Sequence, residues 1–359
     1  MSKRTVAILL AAFLVLLVLV TVGRRESASP AGTGAPLIAG LDDALGDIER
    51  VTVTKANGET VATLEKGPDN WVVSDKHGYV ANAGKLRQAL TALGEARILE
   101  QKTANAELYS RLGVEDVAGA DATGITVALT AAGRELPTVI LGNAEGAKFR
   151  YARRAGEAQS FLIDRNPDVP RAAGQWVESQ IVDIRSDRVR EVTITHPDGE
   201  TLRIAKTAPE LANFEVAGVP NGRELSYPGV ANVSGNALRE LNLEDVEPAD
   251  ASPAGEATQV ELKTFDGLVV KILGVERDNE SWITIEASAD SAQAPATPPP
   301  AAQPAADGAA PATPAAADPS AEAARINARV GGWRYKIAGF QYDQLTRRMA
   351  DLLKAPPAP

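Results

Sequence analysis

The sequence predicts an α+β protein of two duplicated halves, each built of antiparallel β-hairpins with helices packed on one face, after a single N-terminal transmembrane helix. Three observations predict it: an uncharged apolar run opens the chain, one hairpin pattern recurs along it, and the segments after the hairpins recur in the same order.

The apolar run extends from about Val6 to Val22, between Ser2-Lys3-Arg4 and Arg24-Arg25. As a helix it covers roughly 26 Å at about 1.5 Å per residue, the short end of what a hydrocarbon core of about 30 Å accepts. A cleaved signal ends in small residues, whereas here the run meets Gly23-Arg24-Arg25-Glu26, and a cut after Ser27-Ala28-Ser29 places Pro30 next. An uncleaved anchor over residues 1–25 is therefore expected. A tail this short and basic stays in the cytoplasm, which puts the residues from Arg24 onward on the periplasmic side of the cytoplasmic membrane. Glu26 to Gly40 is rich in Ala, Gly, Ser and Pro, so residues 26–46 read as a flexible tether.

Val51-Thr-Val-Thr-Lys-Ala-Asn57-Gly58 and Val192-Thr-Ile-Thr-His-Pro-Asp198-Gly199 carry one pattern, period-two β-branched residues before a pair that tolerates the positive φ of a tight turn. A third copy runs from Val260 through Asp266-Gly267 to Ile272, and a weaker fourth from Ile125 to Leu141 turns near Ala132-Gly133. Aromatic strands follow (Trp71, Phe214, Trp282), then Tyr79 and Tyr227, each before a helix expected at about Lys85 to Leu93 and Val233 to Leu241. A last helix is expected from Tyr342 to Leu353, after Trp333 and Phe340. The halves are accordingly placed at 47–182 and 183–354, the second interrupted by an Ala/Pro-rich insertion at about 289–320 that includes Pro298-Pro299-Pro300. Recurrence at equivalent places marks the aromatics as core anchors first and ligand contacts second.

Composition narrows the chemistry. The 359 residues include no cysteine and two histidines, and the net charge is −10. Thiol chemistry and Cys-ligated metals are excluded, a His-based metal site and nucleic-acid binding are disfavoured, and no cofactor is expected. His196 stands where the first copy has Lys55, which reads as a solvent-facing strand end, and His77 lies in a polar turn. The acidic pairs Asp42-Asp43, Glu115-Asp116 and Glu244-Asp245 read as solvated loop charge, because adjacent side chains diverge. One cationic cluster stands out: Lys148, Arg150, Arg153 and Arg154. On a strand, Phe149 and Tyr151 share the face opposite Arg150, so the cluster reads either as a charged edge strand protected from aggregation or as an anion or partner patch.

The hairpins, the segment Leu108-Tyr-Ser-Arg-Leu-Gly-Val-Glu-Asp116, the Tyr151-Ala-Arg-Arg154 segment and the closing Gln344-Leu-Thr-Arg-Arg348 together resemble one bacterial family. It is a membrane-anchored domain of unknown function, found mainly in proteobacteria and related to auxiliary proteins of gliding-motility-type ABC transport systems. The resemblance covers nearly all of the chain after the tether, and the Ala/Pro insertion departs from the family pattern. It implies an envelope protein associated with an ABC-type permease and ATPase, with no catalytic residues to carry over. The expected role is thus a non-enzymatic accessory or scaffold protein. The alternatives are a periplasmic module that binds a polysaccharide, lipid or peptide in a groove between the halves, lined by Trp71, Tyr79, Phe214 or Tyr227, and an enzyme whose carboxylates come from distant segments.

Overall fold

Period-two runs of β-branched residues dominate the chain, and nearly all of them become antiparallel strand. The computed structural model describes residues 34–249, 256–290 and 318–355. By internal contacts the chain divides into two compact units, one holding the residues up to Trp71 with Ala83–Ala172, the other Val72–Asn82 with the residues from Ala173 onward.

The first strands in chain order are β1 (Ile48–Thr54), β2 (Thr60–Lys66), β3 (Trp71–Val73), β4 (Tyr79–Val80), β5 (Ile98–Gln101), β6 (Ile125–Ala131), β7 (Val139–Glu145), β8 (Phe149–Arg154) and β9 (Ser160–Ile163). The first unit arranges seven of these as β2-β1-β6-β7-β8-β9-β5. The β3–β4 hairpin, with Val73 opposite Tyr79, groups with the second unit. There follow β10 (Gln180–Val182), β11 (Val189–Thr195), β12 (Thr201–Ala205), β13 (Glu215–Val216), β14 (Leu241–Asn242), β15 (Asp245–Pro248), β16 (Thr258–Thr264), β17 (Leu268–Arg277), β18 (Glu280–Ala289) and β19 (Trp333–Ile337). Eight are ordered β13-β12-β11-β16-β17-β18-β19-β15, and β10 pairs with β14 separately.

Both units therefore use one strand plan, in which β1, β2 and β5 to β9 take the places of β11, β12 and β15 to β19. The register agrees residue by residue. Val51 lies between Leu64 and Leu129, and Val192 between Ile204 and Leu262. The pairing shifts at the same point, between Ile48 and Arg50 and between Val189 and Glu191. These apolar positions are all at most 6 % exposed, so each sheet has one closely packed face. The first hairpin turns through positive φ at both Asn57 (61°) and Gly58 (65°), as a tight turn demands.

The fold class differs from the expectation. The described residues are mostly antiparallel sheet with few helices, and only two helices exceed seven residues, Ala83–Glu95 and Pro319–Val330. The first arises where expected, since Leu86, Leu90 and Leu93 recur at helical spacing and are buried. The one expected at Val233 to Leu241 is confined to Asn232–Gly235. The Asn236 side chain turns back onto the Asn232 carbonyl, and Glu240 takes φ 50°, so the leucines beyond are buried from a turn and from β14. The closing helix is two short ones, Gly339–Leu345 and Met349–Leu352, divided where the Thr346 hydroxyl bonds the Tyr342 carbonyl and Arg348 becomes extended.

The expected anchor over 1–25 lies outside the described residues, among which no helix is long and apolar enough to cross a membrane. The described part of the expected tether is not a tether. Leu37, Ile38 and Leu41 are at most 1 % exposed, because this apolar triplet lies next to residues of small-residue composition and folds as core. Most of the Ala/Pro insertion, 291–317, lies outside the described residues; its end is ordered, with the Asp318 carboxylate accepting the Ser320 N–H at the start of the Pro319–Val330 helix.

That helix is fixed at two points. Both carboxylate oxygens of Glu322 accept from Arg188, at 2.9 and 2.7 Å, and Arg188 also bonds Asp266 at the β16–β17 turn. The Asn327 amide exchanges two hydrogen bonds with the backbone of Ala287, at 2.8 and 2.7 Å. Strand β19 covers only Ser281 to Ile283 of β18, so Asn327 satisfies backbone groups that an open strand edge leaves unpaired.

Candidate functional site

Strand β8 lies between β7 and β9, so the cationic cluster is not on an edge strand; its charges are placed by the pleat of an inner strand. Arg153 is 3 % exposed. Its Nε donates to the Val114 carbonyl at 2.8 Å, Nη1 to the Glu157 carbonyl at 2.9 Å and Nη2 to the Asp116 carboxylate at 2.6 Å. The guanidinium lies 4.6 Å from the centre of the Tyr109 ring, which packs with Val114, Ile140, Leu112 and Tyr151. Two of the segments that carry the family resemblance, Leu108 to Asp116 and Tyr151 to Arg154, are thus halves of one clasp. Glu115-Asp116 is correspondingly more than loop charge: Asp116 ends the clasp, and Glu115 is partly buried.

Arg154 is also internal, donating to the carbonyls of Leu37 at 2.7 Å and Pro36 at 3.2 Å. Arg150 differs. It is half-buried on β8 opposite Ile163, and its Nε donates to the Asn166 side-chain oxygen at 2.7 Å. Among the described residues it has no carboxylate in ion-pair contact. Burial, and then the charge of Arg171, hold its guanidinium below the ordinary value, with Asp168 offsetting part of this. Lys148 is exposed at the end of the β7–β8 turn, and Phe149 beside it is 36 % exposed. Of the four predicted cations, Arg153 and Arg154 are thus turned inward, Lys148 is exposed and Arg150 is half-buried; Arg171, whose Nη1 donates to the Thr123 carbonyl at 2.9 Å, adds its charge near Arg150. Sequence reasoning missed Arg171 because it stands alone in Val169-Pro170-Arg171, with no local cluster to signal it.

The third resemblance segment forms a second clasp. Arg348 bonds the Asp198 carboxylate at 2.8 Å and that of Glu200, whose other oxygen accepts the Met349 N–H at 2.9 Å. These contacts fasten the end of the chain to the β11–β12 turn. His196 is not solvent-facing: it is 6 % exposed, with Nε2 3.3 Å from the Arg347 carbonyl and Nδ1 3.4 Å from the Thr258 hydroxyl. Docking of the terminal segment buries it, which the hairpin comparison with Lys55 does not reveal. His77 is exposed, as expected.

The clasp has a pH signature. The Met349 N–H, and then Arg348, hold the Glu200 carboxyl below the usual carboxylate range. A lowered folded-state pKa adds stability that is present above the unfolded value of about 4.3 and lost as pH falls through the folded one. Glu200→Gln is expected to flatten the fall of the unfolding midpoint between about pH 5 and pH 3. Thermal melts across that range check it, and an unchanged acid limb counts against the clasp.

The aromatics divide. Tyr79, Phe214 and Trp282 are at most 9 % exposed, with Tyr79 edge-on to Trp333 at 5.0 Å, whereas Tyr227 and Phe340 are 55 % and 65 % exposed and anchor no core. Phe340 lies in the Gly339–Leu345 helix, and Tyr227 follows Ser226, whose N–H donates to the Leu352 carbonyl. Among the other acidic residues, Asp42 pairs with Arg97 at 2.8 Å and Asp245 with Lys76 at 2.6 Å. Many ionic groups are engaged in such pairs, an arrangement suited to holding segments together.

A family model described as domain of unknown function (DUF4340) matches residues 71–260. No curated protein and no solved structure matches the chain.

Proposed function

We propose that this chain, which belongs to the DUF4340 family, is a non-enzymatic accessory or scaffold protein of the bacterial cell envelope, docked to an ABC-type permease and its ATPase. The observation that carries the reading is Arg150, a half-buried guanidinium with no carboxylate in ion-pair contact among the described residues, with the charge of Arg171 nearby. A partly desolvated cation suits an acidic protein partner, whose carboxylate supplies the missing charge. The kinship to auxiliary proteins of gliding-motility-type transport systems belongs to this proposal, as does a position on the periplasmic side of the cytoplasmic membrane, read from the basic start and the apolar run of residues 6–22.

Affinity purification of the full chain from detergent extracts tests it. Permease and ATPase subunits are expected in the eluate, and charge reversal of both Arg150 and Arg171 to Glu is expected to reduce their recovery about fivefold or more, with the unfolding midpoint kept. Recovery of neither subunit, under conditions that keep a known transporter intact, overturns the reading.

A further inference from the structure

We propose that the second unit carries a small oxyanion pocket, built by Arg325 and Arg329 over an apolar floor, and that it takes a carboxylate or phosphate group borne on a short apolar body. A concavity of about 300 Å³ opens along the Pro319–Val330 helix. Its floor is Val182, Ile184 and Ile326, all at most 7 % exposed, and its walls carry the two guanidiniums one helical turn apart. Like charges at this spacing repel, and among the described residues neither arginine has a carboxylate in ion-pair contact.

The acids nearby are already engaged. Glu322, on the same helix face, has both oxygens on Arg188, and Asp183 at the rim accepts the Glu240 N–H at 3.0 Å. Glu322 has both oxygens turned onto Arg188, which it shares with Asp266, so the two guanidiniums face only the Asp183 carboxylate. The helix is pinned at Glu322 and Asn327, three residues before Arg325 and two before Arg329, so the two side chains start from a fixed backbone and lose less freedom on binding. Planar guanidinium forks match an oxyanion in two-point contact, and the floor takes the carbons next to it. At the small end of ligand sites, the volume admits a body of a few carbons.

Titration calorimetry on the full chain in neutral detergent, with hexanoate, acetate and inorganic phosphate as probes, tests the pocket. Saturable hexanoate binding is expected, about fivefold or more tighter than acetate, with phosphate also bound. The Arg325→Gln/Arg329→Gln double variant is expected to weaken hexanoate about tenfold or more at an unchanged unfolding midpoint, and the corresponding double Lys variant to fall between, because the charge stays and the fork is lost. No saturable hexanoate binding below about 10 mM, equal affinity for hexanoate and acetate, or undiminished binding by the Gln variant overturns the proposal. Where the Gln variant does not fold, protection of Arg325 and Arg329 from phenylglyoxal by hexanoate, mapped by mass spectrometry, reads the same site, and failure to protect overturns it equally.

Discussion

Arg153→Ala is expected to lower the unfolding free energy by about 3 kcal/mol, since it leaves one buried carbonyl without its donor at about 1–3 kcal/mol, breaks a part-buried bond to a second at about 1 kcal/mol and removes a ring contact of about 1 kcal/mol. The carbonyls are those of Val114 and Glu157, and the ring is Tyr109. The Asp116 end adds little, because that carboxylate is 72 % exposed and screened by water. Arg153→Lys is expected to recover less than half of the loss, because an ammonium on a single stem cannot reach three diverging acceptors. Arg150→Ala provides the contrast: its Nε has one side-chain partner, and a change within about 1 kcal/mol is expected. Urea unfolding of the three variants measures this. A loss below about 1 kcal/mol for Arg153→Ala removes the clasp as the reason for the motif.

Gly142→Ala is expected to cost about 3 kcal/mol or more, by overpacking against backbone that cannot move aside. A Cβ at this position lies 2.2 Å from the Leu112 carbonyl oxygen and 2.7 Å from Val114 Cγ1. Gly124→Ala meets the same loop from the neighbouring strand side, 2.2 Å from the Gly113 carbonyl oxygen. Because both substitutions push the Leu112–Val114 segment outward, their combined cost is expected to fall short of the sum. Gly133→Ala separates sterics from backbone preference. Nothing lies within 4 Å of its Cβ, yet φ is +68°, so about 1–2 kcal/mol is expected there. Denaturant midpoints of the four proteins give the order, and a mild Gly142→Ala means that the loop does not press on β7.

How much of this was legible in the sequence depended on whether the signal was local. Alternation around Asn57-Gly58, Asp198-Gly199 and Asp266-Gly267 located the hairpins, because the turn chemistry and the period lie within a dozen residues. The leucine spacing of Ala83–Glu95 was local in the same way. Val233 to Leu241 carried a similar spacing and failed, since the sequence does not show that Phe214 presses on Gly235, where a Cβ lies 2.2 Å from the ring, or that Leu241 is needed in β14. The cationic cluster was found and its roles were not. Arg153 and Arg154 differ from Arg150 only in what other segments bring to them, Val114 and Leu37 from far along the chain. Arg171, Arg325 and Arg329 had no cluster to mark them, and His196 was misread because its cover comes from Arg347.

The shared strand plan also bears on the order in which each sheet can assemble. Strands β6 to β9, and β16 to β19, each form a meander of consecutive strands, but β5 and β15 precede these runs and pair with the last strand of each: Ile98 with Ile163, and Asp245 with Lys336. A ribosome that has made β5 must go on to make the whole meander before that strand has a partner, and the same delay recurs for β15, lengthened by every residue between β18 and β19. Each unit therefore closes its sheet at a seam joined late, with one edge strand waiting on the growing chain.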